Sequence, residues 1–314
     1  MRSRTTKRLQ LPAIAVGLVI ALLVTACGDE GEASGTGLTV VATTTVMGDL
    51  ATNVLGDAGE VIVLMPIGAD PHDFRASSAQ VADINRADLV LANGLGLEEG
   101  LEDVLDGAAA DGVEVVEVGP LLDPLPFSDD DHEGDDHGTE DPHVWFDLAR
   151  MADASRLLAA ELERIDPSVD WAARGEDYAT RLLTADADIS SILSIIPDEQ
   201  RKLVTSHGSL GYFANRYDFE VVGTVIPSGS TVASPSSEEL ASLVDVMRRE
   251  DVTVVFGETT QPQALADAVA AELGSDAQVV SLFTGSLGGP GSSAETLIDM
   301  ARLNATSIAE ALGR

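Results

Sequence analysis

A single cysteine, Cys27, stands in the 314 residues of this chain, so no intramolecular disulfide is available to it. Histidine is nearly as scarce, with five in all. Basic side chains are few: 18 Lys and Arg face 53 Asp and Glu, a formal charge of −35. Residues 1–26 hold four of the basic residues and none of the acidic ones, so the remainder sets 53 against 14, a balance of −39. Such a surface repels phosphate backbones and makes nucleic acid a poor partner. Most of its carboxylates are scattered, as a solvated acidic shell requires. The apolar run from Leu11 to Leu23 is too short for a comfortable membrane span. No His-Glu-x-x-His helix is present, which removes the commonest metalloprotease signature.

What is there begins with an export address. Arg2, Arg4, Lys7 and Arg8 precede the short apolar core, and Val24-Thr25-Ala26-Cys27 ends it. This pattern reads as a secretory signal, residues 1–26, whose end resembles a bacterial lipobox cut before a cysteine that then carries lipid. Cys27 is the expected lipidation site, followed by a small, acidic tether through residue 37. The expected location is extracytoplasmic, anchored to the bacterial cell membrane.

The rest alternates. Short β-branched runs at Leu38–Thr43, Glu60–Met65, Ala87–Ala92 and Val113–Val118 are separated by helical spacing at Met47–Leu55, Ser78–Asn85 and Leu97–Ala109. Runs apolar on both faces in a βαβα order predict a parallel sheet covered by helices on both sides. An Asp-rich loop, 124–140, breaks the order, and helical spacing then runs from Leu148 to about Ile196, interrupted at Asp166-Pro167-Ser168. Pro167 is placed to open a new helix, and a helix over 167–197 would link two lobes. A second series follows, with strands at Lys202–Ser206, Phe219–Ile226, Thr253–Gly257 and Gln278–Phe283, and helices near Glu238–Arg249, Gln261–Leu273 and Ala294–Ala311. The expected fold is α/β: two Rossmann-like lobes with parallel sheets, 38–166 and 198–314, joined by one long linking helix.

The histidines fall at informative places. Asp-Pro-His occurs twice, as Asp70-Pro71-His72 and Asp141-Pro142-His143, and His207 directly follows the first strand of the second lobe. Open α/β sheets bind ligands beyond the carboxyl ends of their strands. His72, His143 and His207 all lie on that side, so two facing lobes would bring the three rings into one cleft. Imidazole is the commonest protein ligand for transition metals. Any one ring could serve structure alone; the three together point to a single metal site.

The matching stretches GADPHDF (68–74), ADLVLANGLGLE (87–98), DPHVWFD (141–147), TSHGSLGYFA (205–214), VVFGET (254–259) and SLFTGSLG (281–288) span nearly the whole chain beyond the tether. From Leu38 onward it resembles the zinc- and manganese-binding solute-binding lipoproteins of ABC importers. The resemblance implies that His72, His143 and His207 are metal ligands, that the linking helix is a rigid hinge, and that a membrane permease is the partner. The third ligand is often glutamate in the manganese receptors, so His207 resembles the zinc-type arrangement. One departure stands out: Gly285 holds the place of an aspartate ligand found in many relatives. Zinc prefers four donors, so water, chloride or another carboxylate must fill the gap. Glu258 is a candidate, as fourth ligand or as a group orienting a histidine; Asp73 and Asp141 are further candidates for the orienting role.

Three imidazoles suit Zn²⁺, Cu²⁺ or Ni²⁺, whereas Mn²⁺ favours more oxygen donors. Among these the resemblance makes Zn²⁺ the expected cargo, with Mn²⁺ or another divalent ion as the alternative, bound less well as pH falls through about 6.5. His132 and His137, in the stretch 128–140, offer mobile auxiliary ligands or simply an acidic loop. Gly94-Leu-Gly96 lacks a third glycine in register for nucleotide binding. The Ser-rich loop 227–237 follows a strand, as a loop or a lid over the cleft. A monomeric zinc receptor is the expected function rather than an enzyme. A zinc hydrolase and a surface adhesin are the alternatives, the former with no evident general base except Glu258.

Overall fold

The computed structural model describes residues 37–127 and 140–313. The expected signal sequence, Cys27, most of the tether, and His132 and His137 lie outside the described residues.

The first lobe runs β1 (Leu38–Ala42), α1 (Thr45–Leu55), β2 (Gly59–Val63), α2 (Ser78–Ile84), β3 (Leu89–Ala92), α3 (Glu102–Ala110) and β4 (Val115–Glu117). Its strands are all parallel in the order β2-β1-β3-β4. Two helices follow, α4 (Leu148–Ile165) and α5 (Trp171–Leu193). The second lobe runs β5 (Lys202–Thr205), α6 (Gly211–Tyr217), β6 (Glu220–Thr224), α7 (Ser237–Glu250), β7 (Val254–Glu258), α8 (Ala264–Leu273), β8 (Gln278–Leu282) and α9 (Leu297–Leu312). Its order, β6-β5-β7-β8, repeats that of the first lobe, again all parallel. The β-branched runs thus become strands, and β3 and β7 are buried at every position because helices cover both faces.

One apolar core passes through both lobes. Val40 and Leu91 of the first sheet, Leu203 and Phe256 of the second, and Trp171, Tyr178 and Leu182 of α5 belong to the same cluster. Smaller clusters cover the outer faces, around Val90 and Leu101 in the first lobe and Val255 and Met247 in the second. Helix α5 lies along α4 and also meets α1 and α9, so it is packed into the body.

Helix α5 is shorter than the expected 167–197. It begins at Trp171, where the Asp170 side chain accepts the N–H of Ala173. Pro167 sits instead in a turn closed by Asp166, whose carboxylate accepts the Ser168 N–H and whose carbonyl accepts the Trp171 indole N–H. The 23 residues give about 35 Å at 1.5 Å per residue. Helix α3 starts at Glu102 rather than Leu97, because Gly94, Leu95 and Gly96 all take positive φ and form a turn there. Helix α6, seven residues with glycine first and two aromatics next, carries no strong helical signal and went unpredicted.

Candidate metal centre

Each histidine is held at a strand end by its own local device. In the turn after β2, Asp70 Oδ1 accepts the backbone N–H of His72 at 3.0 Å. In the second tripeptide Asp141 Oδ1 does the same for His143 at 2.9 Å. These are Asx turns, in which a short carboxylate replaces a backbone acceptor two residues back. His207 follows β5, and its carbonyl accepts the Thr205 hydroxyl at 2.6 Å and the Ser209 N–H at 2.8 Å.

The structure brings these three rings together. They are 4%, 2% and 3% exposed for His72, His143 and His207. Their centroids lie 5.5 Å apart for His72–His143 and His72–His207, and 5.0 Å for His143–His207. One nitrogen from each falls within 4.8 Å of the others, and among the described residues this cluster of potential donors holds no carboxylate or thiol. Both ring nitrogens of His72 are buried without a hydrogen bond; Glu99 comes no closer than 3.8 Å.

Behind the rings lie carboxylates. His207 Nδ1 is 2.5 Å from Glu258 Oε1, while Glu258 Oε2 accepts the Thr284 hydroxyl at 2.6 Å. His143 Nδ1 is 2.7 Å from Asp141 Oδ1. Both oxygens of Glu258 are thus engaged, one by the His207 ring and one by Thr284. Asp73 is exposed; Asp141 Oδ1 meets the His143 ring, and Asp70 holds the His72 turn through the backbone N–H alone. The signal for Asp70 was present in the repeated tripeptide, yet which of two neighbouring aspartates turns inward depends on backbone geometry.

Electrostatics follow from burial and charge. Burial, then the charges of His207 and His72, press the His143 pKa well below 6.5. Burial would lower His207 too, but attraction and hydrogen bonding from Glu258, with Asp70 and Asp141 beyond, leave it raised. Glu258 moves the other way: its burial penalty is outweighed by His207 and Thr284, and its pKa is lowered. Burial pushes Asp141 up to about 8, despite the His143 N–H it accepts. The front nitrogens of His143 and His207 stand 3.1 Å apart, Nε2 to Nε2. Two lone pairs cannot face each other at that distance. Either a proton or a cation has to lie between them.

Further residues brace the cluster. The Asn93 side-chain amide donates to the Pro142 carbonyl at 2.8 Å, and buried Glu98 accepts the N–H groups of Asn93 and Gly94. The NGLGLE segment is therefore a brace for the second tripeptide. The Tyr212 hydroxyl donates to the Asp141 carbonyl at 2.9 Å, and Trp145 packs edge-on against His143. Across the cleft mouth, Thr231 Oγ1 donates to Asp70 Oδ2 at 2.5 Å, Gln261 donates to the same oxygen, and Ser230 Oγ donates to Glu99 at 2.9 Å.

Two parallel-sheet lobes in like order, enclosing three buried imidazoles at their strand ends, define a two-lobed α/β receptor with its site between the lobes. A family profile described as zinc-uptake complex component A, periplasmic (ZnuA), matches residues 40–311, and the chain belongs to that family. It is 30% identical over 302 residues to the manganese-binding lipoprotein MntA of Halalkalibacterium halodurans, covering 95% of this chain and 97% of that one. It is 29% identical over 311 residues to the iron-binding protein YfeA of Yersinia pestis, with 97% of each covered. The periplasmic zinc-binding protein TroA from Treponema pallidum superposes with a TM-score of 0.77 at 28% identity, over 88% of this chain and 100% of that chain.

Proposed function

We propose that the protein is an extracytoplasmic receptor that captures one divalent transition metal on His72, His143 and His207 and delivers it to an ABC permease. The observation that carries this is the 3.1 Å approach of two imidazole nitrogens, each backed by a carboxylate on its other nitrogen. That arrangement needs a proton or a cation between the rings, and a third ring with no hydrogen bond completes the set.

Zinc is the cargo we infer. Similar proteins are named for manganese, iron and zinc, so names do not choose among them. Donor chemistry supports zinc over manganese: three borderline nitrogen donors and no carboxylate in the cluster suit Zn²⁺ and disfavour oxygen-seeking Mn²⁺. With Gly285 where many relatives carry a ligand, a small external donor completes a tetrahedron. All three ligands come from one chain, so a monomer suffices. MntA of Halalkalibacterium halodurans is named a lipoprotein, and Cys27 is the anchor we infer here; among the described residues no helix is long and apolar enough to cross a membrane. A hydrolytic role lacks a base, since both Glu258 oxygens are already engaged.

The test is metal analysis of the chain lacking residues 1–27, purified without chelator, beside His207→Ala. One bound zinc, lost in the variant, is expected. Manganese bound more tightly than zinc in competition would overturn the zinc assignment, and no bound divalent ion would overturn the receptor.

A further inference from the structure

The segment from Thr284 to Leu287 touches the supports of all three histidines. Thr284 Oγ1 donates to Glu258, which holds His207. The Thr284 carbonyl accepts the Trp145 indole N–H at 2.9 Å, and Trp145 lies 5.3 Å from His143 between ring centroids. Ser286 Oγ accepts the Gly68 N–H at 2.9 Å, and the Leu287 N–H donates to Thr45 Oγ1 at 2.9 Å, which pins the segment to the first lobe. Between these ties Gly285 lies against Pro71, the neighbour of His72. A Cβ on Gly285 would stand 2.8 Å from Pro71 Cδ and 3.4 Å from its Cγ. Pro71 is buried, and its Cδ is bonded to the backbone nitrogen, so it cannot swing aside as the end of a flexible side chain can.

We propose that Gly285 is a positioning residue: its missing side chain sets how closely the His72 turn approaches the other two rings, and so fixes a compact three-nitrogen cage that selects zinc. This rests on the metal-receptor reading. Any side chain at 285 displaces Pro71, and His72 with it, outward. Bonds of about 2.0–2.1 Å from zinc to nitrogen tolerate that displacement least, while a larger ion tolerates it better. An aspartate at 285 has to move Pro71 before its carboxylate can add a donor.

The experiment compares wild type, Gly285→Ala, Gly285→Asp and the double variant Gly285→Ala/Pro71→Ala as full-length protein. It measures zinc and manganese affinity by competition titration and the visible absorption of bound Co²⁺. Gly285→Ala is expected to weaken zinc at least about tenfold, more than manganese, and to change the Co²⁺ spectrum. Alanine at 71 has no Cδ, so the double variant should return to within about threefold of wild type. Wild-type zinc affinity with an unaltered Co²⁺ spectrum in Gly285→Ala would overturn the proposal, as would tighter zinc binding by Gly285→Asp. Should Gly285→Ala fail to fold, the double variant decides: wild-type zinc affinity supports the proposal and its loss overturns it. A wild type that binds neither zinc nor manganese would instead sink the receptor reading.

Discussion

Replacing Glu258 with Gln removes one charge from behind His207 and leaves the shape in place. The carboxylate is 3% exposed and accepts from His207 Nδ1 at 2.5 Å and from Thr284 Oγ1 at 2.6 Å. Glutamine keeps one oxygen for the imidazole, and the threonine hydroxyl can rotate to accept from the new amide. What is lost is charge assistance. A hydrogen bond to a charged group contributes about 1.5–3 kcal/mol against about 1 for a neutral one, so zinc should bind about 0.5–2 kcal/mol more weakly. At 1.36 kcal/mol per factor of ten that is roughly 2- to 30-fold, which overlaps the usual range for removing a partner of a metal-ligating histidine. The pH dependence sharpens the test. Glu258 favours a proton on His207 as well as a metal, and the His207 pKa is raised. In wild type, therefore, zinc affinity falls as pH drops through that raised value, where the proton competes. The variant has given up the advantage for both, so the two curves should lie furthest apart above that raised pKa and converge below it. Competition titration against a chromophoric chelator across pH 5–8 measures this. A gap of constant size at every pH, or none, would refute the reasoning; a loss as large as that of His207→Ala would make Glu258 a ligand.

Other outcomes follow from the same geometry. His72→Ala should lose more than the 10- to 100-fold typical of an outer partner, because both of its ring nitrogens lack any competing hydrogen bond; equal zinc affinity by titration would remove it from the ligand set. Zinc capture at pH 7 should release protons, since Asp141 is pushed up to about 8 and His207 is raised, and both must be unprotonated behind or at the metal. Calorimetry in buffers of different ionisation enthalpy counts those protons, and the count should fall as pH is raised past 8. Thr231→Val removes one donor to Asp70 Oδ2 across the cleft mouth; zinc release into excess chelator, followed by stopped flow, should quicken about 3- to 10-fold for a bond worth about 1 kcal/mol, and an unchanged rate would show that the mouth does not limit exit.

The fold was legible because its signals are local. Runs such as Leu89-Val90-Leu91-Ala92, apolar on both faces, read as buried parallel strands and are so. The three histidines drew notice through scarcity and through their place after strands, which a strand-by-strand reading reaches. What escaped depends on chain segments far apart in sequence. The Trp145–Thr284 hydrogen bond spans 139 positions, and the contact of Gly285 with Pro71 joins the two lobes. Which of the carboxylates beside His72 faces inward was not legible either, since Asp70 and Asp73 both neighbour the ring and only the turn decides. Trp171 as the start of the linking helix escaped for another reason: the Asp166 carbonyl accepts its indole N–H five residues on, a local side-chain contact that the helix-opening preference of Pro167 does not report.

The shared core constrains how such a site exchanges its ion. Val40, Leu91, Trp171, Leu203 and Phe256 belong to one cluster that runs from lobe to lobe, so swinging the lobes wide apart would expose apolar surface at about 25 cal/mol per Å². The hydrogen bonds of Asp70 with Thr231 and Gln261, and of Glu99 with Ser230, are polar. Each exchanges with water at a net cost of about 1 kcal/mol. On the receptor reading, exit by local opening of the loop that carries Ser230 and Thr231 would leave that shared core intact, as separation of the lobes would not. The three rings can stay in place while the mouth opens, and the site remains preorganised for the next ion.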